Sequence, residues 1–184
     1  DKLVTGVQTC ALPICEAKSW TYGAYSAFER RKGLGYFVAN TEVRTAVTDS
    51  ALVELLAQLK RVTVEPIPDA EIDASRNAIA GAFPLKIESS AQVAAQVAAV
   101  KLYDLSPTYL QSYRQRIAGV TSIAAQTAAV GGIHPDKAVI VVVGDGTKIY
   151  DGLKKIAPVR IVAPDGAALT PENLVVKGGR SEEH

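Results

Sequence analysis

The residues best suited to do chemistry are concentrated between Cys15 and Tyr25, a segment that reads CEAKSWTYGAY. From Trp20 onward, aromatic and small residues alternate, which predicts a strand buried on one face. Tyr22 stands at the start of that strand, where a side chain can reach past the sheet edge into a cleft. A half-buried strand tyrosine with its hydroxyl in water fits the same position. A carboxylate, an amine, two hydroxyls and a phenol lie close together here: Glu16, Lys18, Ser19, Thr21 and Tyr22.

Groups that bind metal ions are scarce in the sequence. It contains two histidines, His134 and His184, and two cysteines, Cys10 and Cys15. A zinc site needs three or four such ligands close together, and a single histidine in a His-Pro-Asp turn cannot provide one. We therefore predict that this chain itself has no metal site.

Two other polar features have simpler explanations than a binding site. The turn Gly144–Gly146 follows a predicted strand and precedes a predicted helix, as a phosphate loop does, but it lacks the glycine spacing and the Lys-Ser/Thr ending. The acidic residues Asp69, Glu71 and Asp73 stand at the start of a predicted helix, where the helix dipole favours negative charge. We interpret the first feature as a turn and the second as an ordinary helix start.

The bulk composition excludes several classes of protein. The 184 residues carry a formal net charge of +1, too close to neutrality for binding nucleic acid or anionic membranes. No apolar run reaches the roughly 18 residues of a membrane span. The apolar segment at residues 11–15 is too short for a signal peptide. The length suffices for one ordinary domain with a core.

Hydrophobic periodicity and turn residues predict a mixture of strands and helices. Residues 20–29 and 34–43 form a predicted hairpin around a charged turn. Thr48 is a predicted N-cap for a helix over residues 49–62. The apolar run KAVIVVVGD, from Lys137, predicts a strand covered on both faces at the centre of the sheet. Further helices are predicted from Asp69 to about Ala82, after Ser89 or Ser90, after Pro107, after Thr121 and over Thr147–Ala157, and a last strand over Val159–Ala163.

Several stretches together resemble a known family, the second homologous domain of the pitrilysin or insulinase-type zinc peptidases, whose relatives include the mitochondrial processing peptidases. That domain shows an Arg-Glu-x-Lys run and then Thr-Tyr opening a strand, and residues 16–22, EAKSWTY, match all of it except the arginine. The resemblance implies an α+β fold, a two-layer domain with a mainly antiparallel sheet covered by helices. The family's opening strand, helix and glycine-rich turn are missing, so we expect exposed apolar surface. The other matching stretches are EIDASRNAIAGAFPLKIES (71–89), SPTYLQSY (106–113), IAGVT (117–121), HPDKAVIVVVGD (134–145) and IYDGLKKIAPVRIVAPDG (149–166).

Both ends of the chain resemble a translated sequencing adapter: VTGVQTCALPI at residues 4–14 and RSEEH at residues 180–184. We therefore interpret residues 1–14 and 180–184 as not native and residues 15–179 as a partial insulinase-like C-terminal domain. The family's arginine, seven residues before its tyrosine, falls at Cys15. A Cys codon TGC or TGT becomes an arginine codon when its first base is restored to C, so we interpret Cys15 as a damaged arginine codon.

The resemblance implies a supporting role in a zinc-dependent metalloendopeptidase. In the family, the arginine and the tyrosine hold the peptide substrate and stabilise the oxyanion, roles that carry over to position 15 and to Tyr22. Trp20 either lines the substrate chamber or packs in the core. The zinc, with its His-x-x-Glu-His motif, would belong to a homologous domain on the same chain or on a partner subunit. The implied location is the periplasm or cytoplasm of a bacterium.

Two other functions remain open. A non-catalytic scaffold or partner subunit of the same family would keep the fold and lack cleavage. An unrelated small α/β ligand-binding domain would be organised around the turn at Gly144–Gly146. The zinc motif, if it is found upstream of residue 15 or in a neighbouring gene, favours the peptidase over the scaffold. Phosphate or nucleotide binding by this chain favours the third function.

Overall fold

The computed structural model of the protein describes residues 19–21, 23–29 and 31–174. They belong to two compact units, each built from separate stretches of chain. The described part of the first unit comprises Tyr25–Asn40 and Leu59–Asp136, without position 30. The described part of the second comprises residues 19–24, without position 22, together with Thr41–Gln58 and residues 137–174.

The described residues have an α+β fold, which confirms the predicted fold class. No helix among them is both long enough and apolar enough to cross a membrane. In chain order the elements are β1 (Ala24–Glu29), β2 (Tyr36–Thr41), a 3₁₀ turn (Thr45–Val47), α1 (Thr48–Val64), α2 (Asp69–Ala82), a 3₁₀ turn (Pro84–Lys86), α3 (Ser90–Leu102), α4 (Tyr109–Ala118), α5 (Ser122–Gly132), a 3₁₀ turn (Pro135–Lys137), α6 (Gly146–Leu153), β3 (Ile161–Val162), β4 (Ala168–Leu169) and a 3₁₀ turn (Pro171–Asn173).

The first unit contains most of the predicted hairpin. Strands β1 and β2 pair in a two-stranded sheet, which confirms that prediction. The rings of Phe28 and Phe37 pack with their centroids 5.0 Å apart. A Cβ atom at Gly132 would lie 2.7 Å from Cε1 of Phe28, so only glycine lets the ring approach the end of α5 this closely.

The core of the first unit is an aromatic cluster between α2 and α4. Tyr109, Tyr113 and Ile117 are buried and recur every four residues, which places them on one face of α4. Phe83, directly after α2, stacks on Tyr113 with 4.4 Å between ring centroids. Burial raises the pKa of the Tyr113 phenol. The matching stretches 71–89 and 106–113 therefore meet in this core.

Arg76 joins the same two helices through polar contacts. Its Nη1 donates to the carbonyl oxygens of Ala118, at 3.1 Å, and Val120, at 3.0 Å. Carbonyls at a helix C-terminus have no partner within the helix, so a charged donor there satisfies groups that would otherwise need water. The guanidinium also pairs with Asp73, one turn earlier on α2. Arg76 thus ties α2 to the end of α4.

We expect Arg76→Ala to lower the free energy of unfolding by about 1–2 kcal/mol, because two carbonyls lose a charged donor. Urea denaturation followed by circular dichroism measures this loss. Arg114→Ala is the matched control, since it removes the same charge from an exposed position of α4 and should change stability by less than about 0.5 kcal/mol. Equal losses in the two variants would contradict the role given to Arg76.

Helix α3 has well-defined ends. Ser89 is its N-cap: the Ser89 hydroxyl accepts from the Gln92 amide, and the Gln92 side chain accepts from the Ser89 amide at 2.8 Å. At the other end the Leu105 amide donates to the Val100 carbonyl at 2.9 Å. This bond requires a left-handed residue before Leu105, and Asp104 has a φ of 50°. Glycine adopts that conformation with less strain than aspartate.

We expect Asp104→Gly to raise the free energy of unfolding by about 0.5 kcal/mol, since it relieves the left-handed strain without disturbing the helix end. Asp104→Ala is the comparison variant. Alanine lacks the short polar side chain that eases this conformation, so it should lower stability. Thermal unfolding of the unchanged protein and the two variants gives their order of stability. An alanine variant as stable as the glycine variant would refute this explanation.

The second unit is built around α6. Ile149 and Leu153, four residues apart, are buried on one face of that helix. Strands β3 and β4 pair antiparallel, with Ile161 opposite Leu169 and Val162 opposite Ala168. The described structure therefore has two separate two-stranded sheets, rather than one sheet centred on Lys137–Asp145.

Several predictions about individual elements are wrong. The run from Lys137 to Asp145 is not a strand, because no described strand lies beside it to pair with its backbone. Thr48 is not an N-cap, since its backbone is already helical and its hydroxyl donates to the Thr45 carbonyl at 3.0 Å. Helix α6 ends at Leu153 rather than Ala157. The last predicted strand is reduced to Ile161–Val162, and its partner β4 was not predicted.

Candidate functional site

The sequence points to three site residues, and the structure describes one of them. Cys15 and Tyr22 lie outside the described residues, so their roles stay predictions. Trp20 is described and is half-buried in the second unit. The site is therefore built from Trp20 and from the immediate neighbours of Tyr22, namely Thr21 and Gly23.

Two threonines hold the backbone of Gly23. The Thr21 hydroxyl donates to the Gly23 carbonyl at 2.9 Å and accepts from the Gly23 amide at 3.1 Å. The Thr41 hydroxyl, at the end of β2, donates to the same carbonyl at 3.0 Å. Gly23 is buried, and these bonds satisfy both of its backbone groups. Thr21 and Gly23, which flank Tyr22 in the chain, are thus fixed relative to the start of β1 and the end of β2.

Ser19, directly before Trp20, has an unusual backbone. Its φ is 49°, in the left-handed region, which costs a non-glycine residue roughly 1–2 kcal/mol. Strained residues of this kind are concentrated at functional sites, where the strain fixes a side chain in a required position. Ser19 and Gly23 are thus two constrained backbone positions on either side of Trp20 and Thr21.

Trp20 lines an open cleft in the second unit. The cleft has a volume of about 370 Å³, within the range of ordinary ligand sites. Asp49 and Glu54 contribute carboxylates from α1, and Lys155 contributes an ammonium group from the turn after α6. An aromatic ring beside charges of both signs can hold a polypeptide by its side chains and its backbone. The sequence alone allowed two positions for Trp20, in the lining of a chamber or in the core. In the structure its surroundings are this cleft.

The shape of the cleft depends on a close approach between α1 and α6. A Cβ atom at Gly152 would lie 2.9 Å from both Cβ and Oδ2 of Asp49. Because Cβ is fixed to the backbone, the clash could not be relieved by rotating the aspartate side chain alone. Gly152 therefore sets the distance between α1, which carries Asp49 and Glu54, and α6, which Lys155 follows.

We expect Gly152→Ala to lower the free energy of unfolding by about 1–3 kcal/mol, because the added methyl group forces α6 away from α1. Trp20 is the sole tryptophan of the chain, so its fluorescence follows unfolding at the cleft itself.

The matched control for Gly152 is Gly81→Ala in α2, where an added Cβ meets nothing within 4 Å. In that helix alanine should stabilise by up to about 1 kcal/mol, because it restricts the unfolded chain more than glycine does. If Gly152→Ala leaves the free energy of unfolding unchanged, the approach of α6 to α1 is not tight.

The turn at Gly144–Gly146 is already occupied by its own carboxylate. Asp145 caps α6: Oδ1 accepts from the Thr147 amide at 3.1 Å and from the Thr147 hydroxyl at 2.6 Å. Lys148 pairs with Oδ2 at 3.2 Å. The hydrogen bonds from Thr147 and Lys148 lower the pKa of Asp145, so it is negatively charged at neutral pH. The Asp145 carboxylate would repel a phosphate bound at this turn. This repulsion argues against the ligand-binding alternative and supports the interpretation as a turn.

The described residues do not fit a zinc site. Across residues 19–21, 23–29 and 31–174, no three histidine, cysteine, aspartate or glutamate side chains are grouped so that they could hold a metal ion. His134 is exposed in the loop between α5 and the following 3₁₀ turn. We therefore assign no step of zinc chemistry to these residues.

The fold resembles that of one solved protein in particular. The crystal structure of a peptidase M16 inactive domain from Pseudomonas fluorescens matches with a TM-score of 0.62 at 22% sequence identity. This chain has the fold of that domain. The match covers 68% of this chain and 30% of that chain, so this chain spans less than a third of its length. No family model matches the chain, and no curated protein matches it.

Sequence reasoning missed the residues that surround Trp20 in the cleft. Asp49 and Glu54 look like ordinary surface residues of a helix, and Lys155 is more than a hundred positions further along the chain. No spacing pattern links them, because only the packing of α6 on the start of α1 brings them together. The one available signal is Gly152, a glycine within a helix, which often marks a close helix contact.

Proposed function

We propose that this chain is the zinc-free companion domain of an insulinase-type metalloendopeptidase and holds peptide substrate opposite a zinc-bearing domain. The observation that carries the proposal is the fold shared with a domain described as a peptidase M16 inactive domain. The motif resemblance from Glu16 to Tyr22 supports the same conclusion. The zinc-bearing domain would be homologous and would lie on the same polypeptide or on a partner subunit.

In the proposed role, Tyr22 acts on the carbonyl oxygen of the peptide bond that is cleaved. As negative charge develops on this oxygen, a fixed phenol can donate a hydrogen bond to it and an arginine at position 15 can add a positive charge. Such donors accelerate a reaction only if they are already in position. The hydrogen bonds that fix Thr21 and Gly23 would supply that rigidity to the residues on either side of Tyr22.

The cleft beside Trp20 would hold the peptide next to this turn. The indole offers an apolar face to a substrate side chain, and Asp49 and Lys155 offer an acceptor and a donor for backbone groups. The mixture of charges suits a polypeptide, which has both donors and acceptors along its backbone. It suits a polyanion such as nucleic acid poorly.

The decisive test is Tyr22→Phe in the full-length protein that carries this domain. We expect kcat/KM for a peptide to fall about a hundred- to a thousand-fold, because one oxyanion donor is lost, while the bound zinc content is unchanged. Tyr36→Phe, which removes a phenol from β2 in the first unit, is the matched control and should leave turnover unchanged. Unchanged turnover in the Tyr22→Phe variant would contradict the role proposed for Tyr22.

The alternative, a non-catalytic scaffold, is favoured by one observation, the cysteine at position 15. If that cysteine is native, the arginine expected there is missing. Comparing Cys15 with the Cys15→Arg variant in the zinc-loaded full-length protein distinguishes the two functions. Peptide cleavage that rises with arginine supports the peptidase, whereas no cleavage by either protein supports the scaffold.

A further inference from the structure

The sequence contains three Asp-Gly pairs, and an aspartate followed by glycine can rearrange its own backbone. The pairs are Asp145-Gly146, Asp151-Gly152 and Asp165-Gly166. In this reaction the amide nitrogen of the glycine attacks the side-chain carboxyl carbon of the aspartate, and water leaves as a five-membered succinimide ring closes. Glycine favours the step because it has no Cβ atom to hinder the attack and its backbone is free to rotate.

The succinimide ring reopens when water adds to one of its two carbonyl carbons. Addition at the side-chain carbon restores aspartate. Addition at the main-chain carbon leaves the glycine nitrogen bonded to the aspartate side chain, and the product is isoaspartate with a free α-carboxyl group. One water molecule leaves and one returns, so the mass is unchanged and no oxidant, reductant or cofactor is needed. The main chain becomes longer by one methylene carbon.

The structure restrains the backbone of the first two pairs. Gly146 and Gly152 both belong to α6. A Cβ atom at Gly146 would lie 2.7 Å from Cδ2 of Leu174, and one at Gly152 would lie 2.9 Å from Cβ of Asp49. The succinimide requires the peptide bond between aspartate and glycine to rotate, and rotation at either pair would disturb the start or the packing of α6.

The carboxylates of these two pairs are also engaged. Asp145 accepts from Thr147 and pairs with Lys148. Asp151 pairs with Lys154 at 2.6 Å. The hydrogen bonds from these partners lower the pKa of both carboxyl groups. A carboxylate anion is a poorer electrophile than a neutral carboxyl group, so both aspartates are held in the less reactive form.

The third pair lies in an exposed turn between β3 and β4. Asp165 and Gly166 are both exposed. Gly166 has a φ of 90°, and a Cβ atom built on it would meet no described atom within 4 Å. Oδ1 of Asp165 accepts from the Ala167 amide at 3.0 Å, which keeps the carboxyl group folded back along the main chain beside Gly166. Space and proximity therefore both favour ring closure at this pair.

A small number of hydrogen bonds close this turn. The Gly166 amide donates to the Ala163 carbonyl at 2.9 Å, and the Ala163 amide donates to the Ala167 carbonyl at 2.8 Å. The glycine nitrogen can attack once the first of these bonds opens. Strands β3 and β4 have two residues each, and a hairpin this short is marginally stable. Local opening of the turn therefore costs less free energy than opening α6, whose residues pack on the core of the second unit.

We propose that Asp165-Gly166 is a site of spontaneous isoaspartate formation, and that the folded structure protects the other two Asp-Gly pairs from this modification. The added methylene carbon lengthens the turn, so the two hydrogen bonds between Ala163 and Ala167 and between Gly166 and Ala163 lose their geometry. The inference does not depend on the proposed peptidase role.

The modification would loosen the hairpin and the apolar cavity beside it. Ile161 and Leu169 lie opposite each other in β3 and β4. Both line a cavity of about 350 Å³ in the second unit, together with Ile140 and Val142. A longer turn changes how β3 and β4 are held against each other, and so it changes the walls of this cavity.

Ageing of the 184-residue chain for several weeks at neutral pH and physiological temperature tests the proposal. Proteolytic digestion followed by electron-transfer mass spectrometry distinguishes isoaspartate from aspartate at each pair. We expect on the order of ten-fold more isoaspartate at position 165 than at position 145 or 151, because opening α6 costs more free energy than opening the turn.

The control is the same chain aged in urea, where the packing of α6 is lost and the three pairs should react at similar rates. Three results overturn the proposal: similar amounts of isoaspartate at the three pairs of the folded chain, a larger amount at either pair of α6, or a preference for position 165 that persists unchanged in urea.

Asp165→Glu provides an independent test, since glutamate would have to close a six-membered ring, which forms far more slowly. Uptake of methyl groups by the aged chain from an isoaspartate methyltransferase measures the total isoaspartate. The substitution should remove most of this uptake. Asp151→Glu, the same change within α6, is the matched control and should leave the uptake unchanged. Equal uptake by the two variants would refute the assignment to Asp165.

Discussion

An extended backbone must pair its N–H and C=O groups with a neighbouring strand, and this requirement controls most of what is unusual in the second unit. Residues 138–143 have the sequence of a buried strand, yet the described residues provide no partner. Their valines are consequently exposed, a cavity lies beneath them, and β3 and β4 are limited to two residues each.

The core of the first unit is an aromatic cluster between α2 and α4. Tyr109, Tyr113 and Ile117 recur along one helix face, and Phe83 reaches them from the end of α2. Arg76 adds a polar connection between the same helices. These contacts join α2 and α4, which are separated in the chain by α3. On α3, Val93, Val97 and Leu102 are exposed apolar residues.

The candidate site combines a constrained backbone with a cleft. Ser19 has a left-handed conformation and Gly23 is held by two threonines, while Gly152 brings α6 close to α1 beside Trp20. Asp49, Glu54 and Lys155 place charges of both signs in this cleft.

The sequence by itself determined the local elements. Apolar spacing and capping residues located the hairpin and helices α1 to α5 to within a few residues, since such signals act over one or two turns. The tertiary structure alone decided the rest. Whether Lys137–Asp145 becomes a strand depends on a neighbour, and whether Asp49 and Lys155 share a cleft depends on how closely α6 approaches α1 at Gly152. Both depend on contacts between residues far apart in the chain, which no local pattern encodes.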